Sequence, residues 1–249
     1  INLDNCSNIV LDEITIINLS NNYILDENYV FCISCYESDN IEFLNIGIQN
    51  CIADRVYHFY FYEIDQVILE DIICQGSQPI NYTCGLSLYY ATNVNVQNFD
   101  FFNHTLNDPW ERVSNYIMSI FFNHCENITM ENSAFYDLSS QNTNMLGRIL
   151  ASSAIEIKNN EWYNIEGHYF AFSITDTTDS YIGYNHFHDL DAKIEGNLFY
   201  CPTQVHSSQF VGNEVYNIKT PNFWMFFFSQ SEENIITKNY LKGNNIGTY

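Results

Sequence analysis

Residues able to do chemistry are thinly spread along this chain, and few stand at spacings that chemistry requires. His186 and His188 are two apart beside Asp189, which would set two imidazoles and a carboxylate on one edge of a strand, the beginning of a metal site. No third strong ligand can be placed next to them, and the plainer reading is a pair of surface histidines. Glu70 with Asp71, and Glu161 with Glu214, are acids that stacking could bring to the separations used in glycoside cleavage. Outward acids are more often a solvated face. Arg55, Arg112 and Arg148 are the whole arginine complement. Cys32 and Cys35 form a C-x-x-C, but no second pair completes a zinc site and no thioredoxin-like context surrounds it, so it reads as structural. There is no nucleophile elbow, phosphate loop or basic aromatic stripe.

What would position such groups is a repeat. Nine times the sequence runs apolar, any, apolar, four residues of free identity, apolar, any, then Asn, Asp or Gly, with about 25 to 34 residues between copies. The closing column reads Asn18, Asn50, Gly76, Asn103, Asp137, Asn164, Asp189, Asn217 and Gly243, the residue types that best tolerate a left-handed backbone. Seven residues earlier stands an apolar column, Leu11, Phe43, Leu69, Val96, Met130, Ile157, Ile182, Phe210 and Ile236. Two residues before the closing column stands another: Ile16, Ile48, Cys74, Phe101, Phe135, Trp162, Phe187, Val215 and Leu241. Apolar residues two apart give strand periodicity. Asn and Asp one position before Ile46, Ile72 and Phe99 predict a bend between two short strands, and a third apolar segment lies between phrases. Three strands per rung close a coil, and neighbouring coils bury one another's apolar columns.

This pattern resembles the parallel β-helix repeat of the pectate-lyase-like superfamily over nearly the whole chain. The resemblance implies an all-β, right-handed parallel β-helix of about nine rungs, one domain over residues 1–249, and a rod about 40 Å long. It also implies action on polysaccharides, through a calcium cluster with an arginine base or through paired carboxylates. The family's hydrolase motifs are missing: Gly167 and His168 are followed by Tyr169, Arg148 and Ile149 by Leu150, and no two Asp are adjacent. Its catalytic residues cannot be carried over.

Eight Lys and Arg against 30 Asp and Glu leave a formal charge of −22, which excludes a nucleic-acid footprint and leaves calcium as a conceivable ligand, with no other cofactor called for. The longest apolar run, residues 223–228, is too short to span a bilayer. Eight cysteines, Cys6, Cys32, Cys35, Cys51, Cys74, Cys84, Cys125 and Cys201, favour disulfides and an oxidising compartment. Buried thiols are the alternative, since Cys74 stands in a core column. Glycosylation sequons start at Asn5, Asn18, Asn81, Asn103 and Asn127, with Asn5 and Asn81 outside the phrase and the better candidates. The chain opens at Ile1 without Met or signal peptide, as a mature or excised portion would.

Two third strands are apolar on both faces: Phe59, Tyr60, Phe61 and Tyr62, and Phe223, Trp224, Met225, Phe226, Phe227 and Phe228. Such strands are covered on both sides, by a loop, by another chain or by sugar rings. The expectation is a noncatalytic, extracellular, glycosylated rod that assembles with copies of itself. A polysaccharide lyase or glycoside hydrolase and a carbohydrate-binding module are the alternatives.

Overall fold

The computed structural model describes residues 1–20, 29–106, 116–243 and 245–246; Arg112 lies outside the described residues. Among them there is no helix, and 23 strands form one parallel sheet wound into a β-solenoid of about eight turns. The two apolar columns stack in register. Leu11 pairs with Phe43, Phe43 with Leu69, Leu69 with Val96 and so through Met130, Ile157, Ile182 and Phe210 to Ile236. The second column runs likewise from Ile16 to Leu241. Nine phrases are therefore nine coils, and the intervals between them are the turns.

Each coil has four corners where the sequence predicted three strands. Every corner is a single residue in the left-handed region, with φ between 41° and 73°. In one rung they are Glu37, Asn40, Asn45 and Asn50; in the next, Glu63, Gln66, Asp71 and Gly76. From first corner to second is always three residues, from second to third five, and from third to fourth five. Only the arc from the fourth corner to the next first corner varies, from 12 residues (Asn164 to Asp176) to 21 (Asn103 to His124).

A left-handed residue other than glycine costs roughly 1–2 kcal/mol, and Asn and Asp reduce that cost by bonding locally. They also bond between rungs: Asn45 Nδ2 donates to Asp12 Oδ1 at 2.8 Å, Asn98 to Asp71 at 2.9 Å and Asn217 to Asp189 at 3.1 Å. This ladder runs on the outside. Asn18 and Asn103 are corner residues too and are exposed.

Inside, the side chains just after the third corner change character along the rod. Ile46, Ile72 and Phe99 are buried there in early rungs, then Ser133, Asn160, Asn185 and Asn213. Each buried amide in this later run accepts the backbone N–H of the rung before it, as Asn185 Oδ1 does from Asn160 N at 3.0 Å, and donates to a carbonyl, as Asn185 Nδ2 does to Ile157 O at 2.9 Å. Beside them Phe135, Trp162 and Phe187 stack with centroids 4.9 Å apart, so the core is held by both stacked rings and chained amides.

Candidate functional site: an outward aromatic face

The longest flat segment of each coil precedes its first corner: residues 29–36, 55–62, 82–89, 116–123 and 143–150. Side chains should alternate in and out along it. Pairing lapses once per rung, at Cys32, His58, Gly85 and Ser119, and alternation shifts there by one residue. Consecutive residues such as His58 and Phe59 therefore both lie fully buried. At Gly85 an added Cβ would sit 2.6 Å from Ser119 O, so no larger side chain fits.

The inward positions carry Phe59, Phe61, Leu86, Leu88, Ile120 and Phe122. The outward ones carry Tyr29, Phe31 and Tyr36, then Arg55, Tyr57, Tyr60 and Tyr62, then Tyr82, Cys84, Ser87 and Tyr89, then Tyr116, Met118 and Phe121, then Met145 and Arg148. Of these, the inward rings are phenyl, and the outward rings other than Phe31 and Phe121 are phenols. A phenol keeps a polar tip in water while its ring packs. Tyr82, Cys84 and Met118 form a buried layer on this outer surface, separate from the main core and flanked by Tyr57, Tyr116, Phe121 and Met145.

Beside that layer runs a continuous strip of rings, Phe31 exposed and Tyr60, Tyr89 and Phe121 half-buried. Phe31 meets Tyr60 at 5.1 Å between centroids, Tyr60 meets Tyr89 at 5.3 Å, Tyr89 meets Phe121 at 5.1 Å, and the Arg148 guanidinium lies 5.7 Å from the Phe121 ring centre. Arg55 stacks over Tyr29 at 5.2 Å and donates to its hydroxyl. Among the described residues neither arginine is in an ion pair; the cationic groups that are include Lys158 and Lys219. No Asp or Glu occupies an outward position of these five segments. In a chain of charge −22, these segments thus carry two guanidinium groups and no carboxylate, with Asp54, Glu37 and Glu63 at their margins. Burial raises the phenols of Tyr60 and Tyr89 above their ordinary range, so both stay neutral hydrogen-bonding groups.

The residues predicted to cover an interface divide. Phe59 and Phe61 are fully buried core residues, which corrects their assignment to a surface, whereas Phe223, Phe226 and Phe228 pack against the same core and stay half-buried. Tyr60, Tyr62, Trp224 and Phe227 face outward, with Trp224 half exposed and edge-on to Phe227 at 5.6 Å. Which parity points outward is visible only in the choice of Tyr over Phe. Tyr29, Phe31, Tyr36, Tyr89 and Phe121 were missed as members of one face because the one-residue slip hides their alignment.

A second outward ladder stacks Phe102, Tyr136, Tyr163, His188 and Tyr216, with successive centroids 4.6 to 5.2 Å apart and planes within 6°. His188 lies between carboxylates, Nε2 to Glu161 at 2.8 Å and Nδ1 to Asp189 at 2.7 Å, and that hydrogen bond holds Asp189 below the usual carboxylate range. His186 stands between Glu161 and Glu214 in the neighbouring column. Asp71 is occupied as a corner acceptor for Asn98. Among the described residues no group of three or more His, Cys, Asp or Glu could hold a metal ion. No helix among them is long and apolar enough to cross a membrane.

Seven of the eight cysteines are buried, and Cys6 is half-buried. Of the sequons, Asn5, Asn18, Asn103 and Asn127 sit at exposed corners, whereas Asn81 is half-buried with its amide bonded to Asp54. Two histidines that sequence reasoning did not single out are fully buried: His58 Nδ1–H donates to Cys84 O and its Nε2 accepts from Ser77 Oγ, while His104 accepts from Ser77 N and donates to Cys74 O. No family model, curated protein or solved structure matches this chain.

Proposed function

We propose that the chain is a noncatalytic, extracellular structural rod that binds carbohydrate along its outward aromatic face. The strip from Phe31 through Tyr60, Tyr89 and Phe121 to Arg148 carries this reading. Sugar rings stack on aromatic faces, their hydroxyls bond to phenols, and a guanidinium takes an anionic substituent. A purely apolar partner would be better served by Phe than by Tyr at positions 60 and 89, the centre of the strip. The likeness to the pectate-lyase-like superfamily belongs to the same proposal, resting on the repeat phrase and the parallel coil.

Binding of the full chain to immobilised neutral and acidic polysaccharides tests it. Tyr60→Ala and Tyr89→Ala should each weaken binding by about two- to tenfold, the scale of one aromatic contact. Arg148→Gln should weaken binding to acidic chains alone, and more at low salt. Unchanged binding in all three variants refutes the reading. Turnover of any polysaccharide that Glu161→Gln abolishes would move the site to the His188 ladder and make the chain an enzyme.

Lateral association of copies is the second reading, favoured by the half-exposed Trp224 against Phe227 on the same flank. Light scattering across a concentration series checks it, with Trp224→Ser expected to reduce any association seen.

A further inference from the structure

The slip in the long segment brings the displaced inward side chain against the residue that follows the fourth corner of the same rung. In residues 55–78 these partners are His58 and Ser77, joined by a 2.8 Å hydrogen bond. One rung earlier the equivalent partners are Cys32 and Cys51. Their sulfurs are 3.3 Å apart and both side chains are fully buried. A polar bridge in one coil is thus matched by two facing thiols in its neighbour. The Cys51 thiol is held below its ordinary range, chiefly by its hydrogen bond with Cys32, while that bond and burial raise Cys32.

We propose that Cys32 and Cys51 are joined by a disulfide that closes this rung into a covalent ring. The two residues stand near the start and just past the last corner of one coil, so the bond ties that coil shut across its interior. The oxidant is a small disulfide such as oxidised glutathione. Cys51 thiolate attacks one of its sulfurs, the oxidant's S–S bond breaks, and one glutathione leaves as thiolate. Cys32 then gives its proton to solvent and attacks Cys51 Sγ, and the second glutathione leaves. The protein loses two electrons and two protons, and the oxidant becomes two thiols. Since neither sulfur is accessible once the coil is wound, exchange happens while the rung is still open, and the finished bond is shielded from reductants.

The full chain folded in a glutathione redox buffer tests this. After denaturation and alkylation without reductant, six of the eight cysteines should be labelled, and peptide mapping should find Cys32 linked to Cys51. Eight labelled thiols, or a link that joins other cysteines, overturns the proposal. A reductant present during folding should lower the urea midpoint of the wild type and of Cys201→Ser, but leave Cys51→Ser unchanged. Should Cys51→Ser fail to fold, the wild-type peptide map decides alone.

Discussion

Replacing Asn185 by Ala should damage the rod out of proportion to the atoms removed. The side chain is fully buried and makes four hydrogen bonds: Oδ1 accepts from Asn160 N at 3.0 Å and Asn160 Nδ2 at 3.2 Å, and Nδ2 donates to Ile157 O at 2.9 Å and Asn213 Oδ1 at 3.1 Å. Asn213 Oδ1 keeps a donor after the change, because Asn185 N also reaches it at 3.1 Å. Asn160 N–H does not, whereas Ile157 C=O still lies in the parallel ladder with the next rung. One buried N–H left unpaired costs roughly 1–3 kcal/mol, so the variant should lose about that much. The same column supplies the control. Ser133 Oγ accepts from Phe99 N and donates to Glu131 O, both at 3.1 Å, which shows how a hydroxyl serves this position. Asn185→Ser should therefore cost about half as much as Ala. Asn239→Ala, half-buried in the last rung, should cost about 1 kcal/mol because water can replace the amide. Urea unfolding followed by the fluorescence of buried Trp162 gives the stabilities, and hydrogen exchange at the Asn160 amide reads the orphaned group locally. An Ala variant within about 1 kcal/mol of wild type, or a Ser variant as weak as Ala, would refute the claim that chained amides hold this part of the core.

Ala151 and Ala154 occupy left-handed corners at φ 48° and 52°, so Gly at either should raise stability by about 0.5–1 kcal/mol, and a lower melting temperature would contradict the strain argument. Gly85→Ala should cost about 1–3 kcal/mol, since the new Cβ meets backbone at Ser119 O and the ring of Phe101; unaltered thermal unfolding would show that the slip can relax. Burial lowers the His58 pKa from 6.5 to about 4 and holds that of His104 well below its ordinary value. The unfolded chain then binds more protons between those values, so stability is full above pH 6.5 and falls toward pH 4 by about 1.4 kcal/mol per unit for each histidine. His58→Gln should flatten that slope in pH-dependent urea titrations, and an equal slope would assign acid sensitivity elsewhere.

The register of the coils was legible in the sequence because both apolar columns and the Asn, Asp and Gly column repeat at every rung, and parallel stacking aligns like with like. The third and fourth corners were legible for the same reason. The first was not: Glu37, Tyr90, His124 and Ala151 share a left-handed backbone but no side-chain chemistry, and packing between rungs imposes the conformation against their preferences; the second carries Asn8, Asn40, Asn93, Asn127 and Asp179, a signal broken by Gln66, Ala154, Ser207 and Glu233. The aromatic face was half legible. Tyr60 and Tyr62 stood out in an aromatic run, but the lapse at Cys32, His58, Gly85 and Ser119 joins four unrelated residue types, and nothing in the sequence marks where alternation shifts. The buried pair of His58 and His104 was silent too, because each is satisfied by Ser77 and by carbonyls that only the coiled backbone brings near.

The constant spacing of the first three arcs confines where such a chain can gain or lose residues. An insertion of one residue there would turn every following side chain in that rung to the wrong side and unseat two ladders at once. After the fourth corner the arc already differs by nine residues between rungs. Grafts, tags and evolutionary insertions are thus admitted along a single seam of the rod, and that seam opens directly onto the first residues of the aromatic face.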